Sequence, residues 1–300
     1  MMRRFFLAIL PLALATLSPA ALDARGDDRA PTPEEQRALL DRVIASQHHD
    51  DAAIELYERI ERQLVRKGGH DSGPAEDKTF RVVPTGTGTL RVQTAENRRP
   101  IDAELYRKQL RELEQALLNS LNPNVPRHKQ VQEKFARRQR ERAESVEATR
   151  NAFLYTWLGR ETRDGRVLAK FRLEPNPAYK PTSRTTSLFA HVRGTAWVDE
   201  AAGQLARIEV EVFRNISFGG GVLGKVYRGS RVAMEQADVA PGIWLPVRYA
   251  YDFMGRKFLF GFELHEITEA SNYHRIGPPE EALAAIRREL SQTATSNASH

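Results

Sequence analysis

The glycine-rich stretch from Gly219 to Val226 is the first place where residue types and spacing could do chemistry. Gly219 and Gly224 stand five residues apart and are followed by Lys225, which nearly gives the loop whose backbone amides bind phosphate. That site also needs Ser or Thr after the lysine and a helix after the loop. Here Val226 stands after the lysine, and the chain to Gln236 alternates like a strand. We therefore interpret the stretch as a glycine bend or bulge between two strands.

The histidines do not form a metal-binding pattern. His48 to Asp51 reads His-His-Asp-Asp, but adjacent residues point to different sides of a helix or strand, so one ion cannot readily use all four. His265 lacks the second histidine four residues later that a zinc-binding helix requires. The sequence therefore predicts no metal and no cofactor, and we interpret the histidines as solvated loop residues.

Glu209 and Glu211 are a candidate carboxylate pair for acid–base chemistry. They alternate with Ile208, Val210 and Val212, which predicts a strand whose carboxylates lie on its wet face. No serine stands in a Gly-x-Ser-x-Gly nucleophile turn. The chain has no cysteine, which excludes a thiol nucleophile and a thiolate metal site. We predict no catalytic residues and a protein that is not an enzyme.

An arginine-rich helix is predicted from about Pro126 to Thr149. Its apolar stripe is thin, which favours a peripheral helix with one side packed. Glutamates are interleaved with the arginines, a pattern typical of a solvated helix with ion pairs four residues apart. We predict no nucleic-acid binding, and we regard Arg127 to Arg150 as a candidate contact for an envelope protein or an anionic membrane surface.

Large rings are concentrated between Phe153 and Ile267, where apolar residues recur with a period of two. This alternation predicts antiparallel strands with one buried and one wet face, and Asp164-Gly165 predicts a two-residue hairpin turn. The apolar face must be covered. Either helices fill it completely, or sheet and helices leave a cavity for an apolar ligand. The rings we expect to line such a cavity are Trp157, Phe171, Trp197, Trp244, Tyr249, Phe253 and Phe260.

The chain before this sheet is mostly helical. Thr32 to Glu35 combines a hydroxyl cap, a proline and a carboxylate three residues on, which predicts a helix from Pro33 to about Ser46. Periodicity leaves residues 52–67 open between helix and strand. A hairpin is predicted over residues 79–92, and an amphipathic helix over 101–121 that ends at Asn122-Pro123.

The amino terminus has the three parts of a secretory signal: Arg3 and Arg4, an apolar run from Phe5 to Leu17, and small residues up to Ala20. The run is shorter than the ~20 residues of a membrane-spanning helix. The export signal predicts a periplasmic or secreted protein. The predicted organisation is a signal peptide over residues 1–20, a linker over 21–31, one α+β domain over 32–290 and a disordered tail over 291–300. The domain contains a charged helical insertion over 101–149 and a last helix that starts at Pro278-Pro279 and continues to about Leu290.

The run GTAWVDEAAGQLARIEVEV, from Gly194 to Val212, resembles the strand, Asp turn, strand signature of the LolA/LolB-like superfamily of outer-membrane lipoprotein-sorting proteins, which also includes RseB-like regulators. Segments that begin at Leu173, Ser217 and Gly242 are similar to parts of uncharacterised secreted relatives. The resemblance covers roughly Tyr57 to Tyr273. It implies a strongly curved, incompletely closed antiparallel half-barrel with helices on its concave face, and a first strand over residues 57–66.

The resemblance also implies a function. It suggests an exported envelope protein that binds an acyl chain or another hydrophobic ligand in the half-barrel cavity, in lipoprotein or lipid handling. The helical insertion over residues 101–149 departs from the carriers of this superfamily. The alternative is a structural or regulatory protein-interaction module of the periplasm, with a filled core and the arginine-rich helix as its contact surface.

Overall fold

A computed structural model describes residues 29–68, 75–219 and 222–297. The predicted signal peptide, most of the predicted linker and residues 298–300 lie outside these ranges. No helix in the described part of the chain combines the length and hydropathy that a membrane crossing requires.

The first helix, α1, spans Pro33–Ala53 and begins at the predicted capping box. It continues past the predicted end at Ser46, because its last turns have partners elsewhere in the fold. The buried Asp50 carboxylate accepts a hydrogen bond of 3.1 Å from the backbone amide of Trp244. After a single 3-10 turn the chain enters strand β1, Tyr57–Lys67. The segment that periodicity left open is therefore helical to residue 53 and extended from 57, and the first strand implied by the resemblance is confirmed.

The described residues form thirteen strands in a single sheet, and every paired strand is antiparallel. The order along the sheet is β4-β3-β2-β1-β13-β12-β11-β8-β7-β6-β5, with β10 paired to β12 and β9 paired to β10. No strand pairing in the described ranges joins β4 to β5, so the sheet is open. This confirms the predicted α+β fold with an incompletely closed antiparallel sheet. The strands after β1 are β2 Glu76–Pro84, β3 Thr89–Glu96, β4 Arg99–Pro100, β5 Phe153–Arg163, β6 Arg166–Pro175, β7 Val192–Asp199, β8 Gln204–Val212, β9 Ile216–Phe218, β10 Gly224–Val226, β11 Arg231–Ala240, β12 Ile243–Lys257 and β13 Phe260–Arg275.

The predicted turns are present. Asp164 and Gly165 join β5 to β6 with φ values of 50° and 75°, the left-handed pair that a tight hairpin requires. Pro84 pairs with Thr89 at the end of the β2–β3 hairpin. The strands on either side of the glycine-rich stretch, β9 and β10, pair with each other, as expected for a stretch between two strands, while residues 220–221 lie outside the described residues.

Cross-strand pairs define two chemically different faces. One row runs Phe171–Ala196–Ile208–Met234–Tyr249–Thr268, and we call its side of the sheet the aromatic face. The residues between them on each strand point the other way. The opposite row includes Lys170, Trp197, Arg207, Glu235 and Arg248, and we call its side the charged face.

The remaining helices are α2 Ala103–Leu121, α3 His128–Ala152, α4 Arg184–Ser187 and α5 Pro279–Asn297. The predicted last helix ended near Leu290, whereas α5 continues to Asn297 and includes part of the predicted tail. Each added residue gains one further backbone hydrogen bond, so a helix that has formed extends readily.

The helices divide between the two faces. On the aromatic face, Leu39 of α1 packs against Phe171 and Ala196. On the charged face, at the other end of the sheet, α2 and α5 bury Leu110 and Ile286. The helices therefore pack against both faces of the sheet, α1 and its neighbour α3 on the aromatic face and α2 and α5 on the charged face. The reason is that Val83, Leu90 and Val92 of the β2–β3 hairpin give the charged face a second apolar surface.

Helix α3 is attached to α1 by polar contacts. Arg142 Nε lies 2.6 Å from Asp51 Oδ2, and Arg150 Nε lies 2.8 Å from Asp41 Oδ1. Farther back along α3, Arg138 donates to the carbonyl of Thr87 at 3.1 Å. The predicted ion pairs four residues apart are also present, at Lys129–Glu133 and Arg137–Glu141. Some arginines of α3 thus lie on a solvated outer side of the helix, and others lie on an inner side that contacts α1.

Substitution of Leu113 tests the α2–α5 core. Leu113→Ala should lower the free energy of unfolding by about 2–5 kcal/mol, because it leaves a cavity at a fully buried position. Leu105→Ala, at an exposed position of the same helix, is the matched control and should change it by less than about 0.5 kcal/mol. Chemical denaturation of both variants is the measurement, and equal losses would contradict this description of the core.

Candidate functional site

The seven rings predicted to line a cavity do not lie together. Trp157 and Phe171 contact each other edge to face, with ring centroids 5.3 Å apart, in the core under α1. Trp197 points to the charged face, where its indole N–H donates to Glu161 at 3.0 Å. Trp244 is buried at the far end of β12 beneath the guanidinium of Arg166, 4.8 Å from its ring centroid. These four rings have structural partners in three separate places.

The other three predicted rings, Tyr249, Phe253 and Phe260, belong to one continuous feature. Tyr249, Tyr251 and Phe253 point to the aromatic face of β12, with successive ring centroids 6.2 Å and 5.8 Å apart. Phe262 of β13 continues the line beside Gly255, where a Cβ atom would come within 2.9 Å of its ring. Phe260 lies two residues beyond it. We call these five residues the aromatic stripe, and its exposure rises from half-buried at Tyr249 to largely exposed at Phe260.

Two members of the stripe, Tyr251 and Phe262, were not among the seven predicted rings. Both belong to the alternating runs that predicted the strands, so the signal was present in the sequence. The pairing of Gly255 with Phe262 is what joins the two runs into one line. A pairing between strands depends on register, which a single sequence does not display.

A polar chamber lies at the inner end of the stripe. Tyr249 borders a space of about 180 Å³ together with Asp50, Glu55, Arg142 and Gln236. A second space of about 420 Å³ adjoins Glu55 and Arg142 on the side of α3. Four buried polar atoms in or beside this chamber have no partner among the described residues: Asp50 Oδ2, Glu55 Oε2, Arg59 Nη1 and Gln236 Oε1.

Burial sets the electrostatics of the chamber. Desolvation raises the pKa of Glu55 and the pKa of Asp50 above their usual values. At Glu55, a hydrogen bond from Gln139 partly opposes this rise. Desolvation also raises the pKa of Tyr249 to about 12. The inner end of the stripe is therefore a place where polar and ionisable groups lie out of water beside an aromatic surface.

The charged face carries a trough of about 820 Å³ that crosses six strands, from β6 to β13. Its floor includes small residues such as Thr195 and Ala233, and its sides are charged. Several of the charges are paired, with Arg193 3.6 Å from Glu211 and His265 3.1 Å from Asp252. Glu209 and Glu211 thus lie on a wet face, as predicted. Of the rings expected around a cavity, Phe171, Tyr249 and Phe253 point to the opposite side of the sheet, and Trp197, which lies on the charged face, does not border the trough.

The histidine candidates have ordinary polar partners. His48 Nε2 lies 2.8 Å from Glu147 of α3, and His49 Nδ1 lies 3.4 Å from Asp50. Both are on helix α1 rather than in a loop. Within the described ranges, no three His, Asp or Glu side chains lie close enough to hold a metal ion.

Comparison with known proteins gives likenesses of structure only. No known family profile and no curated protein sequence matches the chain. A LolA superfamily protein from Nitrosomonas europaea is similar at 11% identity and a TM-score of 0.33, over 85% of this chain and 98% of that one. A candidate outer membrane lipoprotein-sorting domain from Vibrio parahaemolyticus is similar at 9% identity and a TM-score of 0.32, over 78% and 92%. A DUF1329 family protein from Desulfovibrio piger is similar at 11% identity and a TM-score of 0.28, over 80% and 92%.

The raised pKa of Glu55 predicts a pH-dependent stability. A carboxyl whose pKa is raised by folding contributes stability that is present at low pH and is lost as the pH rises through its folded pKa. Glu55→Gln is neutral at every pH, so its melting temperature relative to the wild type should rise between about pH 4 and about pH 7. Thermal melts over this range, with the exposed Glu112→Gln as a control that shows no such trend, are the test. A constant difference for Glu55→Gln would contradict the burial argument.

Proposed function

We propose that this protein is an exported, non-enzymatic protein of the cell envelope that binds an acyl chain, or an apolar ligand of similar shape, along the aromatic stripe. The observation that carries the proposal is the stripe itself: five aromatic side chains in line on one face of the sheet, partly open to solvent, and not covered in the way that α1 covers Phe171. An extended apolar surface of this kind on a folded protein is a binding surface more often than a structural accident.

The physical gain is the burial of methylene groups against the rings. Each buried methylene contributes roughly 0.8 kcal/mol, and the rings offer a flat surface whose own conformational freedom is already restricted by stacking. The strand rises about 3.3 Å per residue, so Tyr249 to Lys257 alone provides roughly 26 Å of track. A single extended chain fits this shape better than a compact ligand does.

The ends of the stripe differ, which orients the ligand. At the inner end, Arg59 has an unpaired guanidinium nitrogen among the described residues, and Arg142 borders the chamber next to Tyr249. At the outer end, Phe260 is exposed. An amphiphile bound along the stripe would place a polar head in the chamber, where Arg59 has a donor and Asp50 and Glu55 have acceptors without partners among the described residues. Its apolar tail would extend towards Phe260.

A second candidate function is protein interaction through the outer side of α3. It is favoured by the exposed cations Arg127, Lys134 and Arg140. They lie on the side of α3 that faces away from its contacts with α1. Removal of residues 126–149 would not test it cleanly, because α3 leads directly into β5 and is bonded to α1. Charge reversal of the three exposed cations is the sharper test, and loss of an envelope partner with unchanged acyl-chain binding would favour this function.

The stripe is tested by Tyr251→Ser combined with Phe253→Ser. Removal of two adjacent rings should weaken the binding of a fluorescent fatty acid by at least about tenfold, a difference of about 1.4 kcal/mol. The matched control is Leu158→Ser combined with Val167→Ser, which removes two exposed apolar side chains from the far edge of the sheet and should leave binding unchanged. Circular dichroism melts would establish that all variants are folded.

Two outcomes would contradict the proposal. One is equal binding by the stripe variant and the control. The other is a wild-type protein that takes up no fatty acid and carries no lipid in native mass spectrometry.

A further inference from the structure

Two neighbouring hairpins project a cluster of exposed apolar side chains from the end of the sheet where β12 passes into β13. The loop between β9 and β10 contributes Val222 and Leu223, which are 72% and 56% exposed. The β12–β13 turn contributes Phe258, Leu259 and Phe260, which are 51%, 88% and 80% exposed. The amide of Phe258 donates to the carbonyl of Leu223 at 3.2 Å, so the hairpins form one unit. We call these five residues the apolar tip.

The residue types in the β12–β13 turn are unfavourable for the stability of the folded protein. Lys257 pairs with Phe260, so Phe258 and Leu259 form a two-residue hairpin turn. Of the two, only Phe258 has a positive φ, and a turn of this kind favours glycine at that position. Phe258 has a φ of 53°, in the left-handed region that a bulky side chain rarely adopts. Large apolar residues in this turn destabilise the fold, because the backbone at Phe258 is strained and the side chains are exposed to water. Leu259 gains little packing against the described residues, since it is 88% exposed.

The surroundings of the tip are basic. The sequence segments 214–228 and 254–262 contain five cationic residues, Arg214, Lys225, Arg228, Arg256 and Lys257, and no Asp or Glu. The first carboxylate on the β13 side is Glu263. An apolar cluster encircled by cations complements a surface that is apolar inside and anionic outside, which describes the interface of a bilayer with anionic lipids.

We propose that the apolar tip docks this protein onto an anionic membrane surface. Leu259 and the rings of Phe258 and Phe260 enter the region between headgroups and acyl chains, where aromatic side chains are favoured. Lys225 and Lys257 contact the anionic headgroups. This inference goes beyond the proposed function: the outer end of the aromatic stripe is part of the same tip, so docking places the open end of the stripe against the bilayer.

The test is co-sedimentation with vesicles of phosphatidylcholine, with and without phosphatidylglycerol. The protein is purified from the periplasm of the expression host and its N-terminus is determined, because an uncleaved apolar run at residues 5–17 would itself bind vesicles. Wild-type protein should bind the vesicles that contain phosphatidylglycerol and bind the neutral vesicles at least tenfold more weakly.

The decisive variant combines Phe258→Gly with Leu259→Asn, which places glycine at the central position with positive φ, as this type of turn prefers. Its melting temperature should rise while its vesicle binding falls at least tenfold, so the loss cannot be ascribed to unfolding. Lys225→Glu combined with Lys257→Glu should abolish the preference for phosphatidylglycerol. The matched control, Lys129→Glu combined with Lys134→Glu on the exposed side of α3, should keep it.

Three results would overturn the proposal. The first is unchanged vesicle binding by the Gly-Asn variant, and the second is loss of binding on reversal of the α3 lysines alone. The third is a wild-type dimer in sedimentation analysis that the Gly-Asn variant dissociates while vesicle binding stays the same, which would assign the tip to a second copy of the chain. Tyr251→Ser with Phe253→Ser should leave vesicle binding intact, so failure of the acyl-chain proposal and failure of this one are distinguishable.

Discussion

The register of the sheet is the constraint on which the rest of the structure depends. Because side chains alternate with a period of exactly two residues in a strand, the pairings that align Phe171 with Ala196 and Met234 with Tyr249 collect apolar and aromatic residues on one side of the sheet. The same pairings collect Lys170, Arg207 and Glu235 on the other. A shift of one residue at any of these pairs would exchange the two sides. The aromatic stripe and the charged trough are both products of this alignment.

Two apolar surfaces on an open sheet need two sets of helices. Helix α1 covers Phe171 and its neighbours at one end, and α2 with α5 covers Val83 and Val92 at the other, on the opposite side. Between them, α3 leads to the far edge of the sheet at β5. This helix contacts α1 through ion pairs, and only its last residue, Ala152, joins the apolar core beneath α1. The result is a polar chamber, and not an apolar one, at the inner end of the stripe.

Much of the fold could be predicted from local patterns. The Thr32 capping box, the Asp164-Gly165 turn and the alternation after Phe153 are signals that a few adjacent residues carry, and each predicts its element correctly. Interactions between distant residues could not be predicted in this way. The extension of α1 to Ala53 depends on a bond from Trp244 to Asp50, and the distribution of the seven candidate rings depends on which face each strand turns inward.

Trp197 shows the limit most clearly. Its size and its place in a strand suggested a lining residue for an apolar cavity, yet its indole lies between the cations of Lys170 and Arg207, at 5.0 Å and 5.3 Å. Tyr249 and Phe253 were chosen on the same grounds and lie on the stripe. Residue type alone did not separate these cases, because aromatic rings stabilise cation contacts and apolar contacts alike.

The central claim is that the aromatic stripe is a track for an acyl chain. The most direct measurement is crosslinking with a photoreactive fatty acid, followed by digestion and mass spectrometry of the labelled peptides. The account predicts labels on the peptides of β12 and β13 that contain Tyr251, Phe253 and Phe262. Labels confined to the charged trough, around Arg193 and Glu209, or to the outer side of α3 would contradict it.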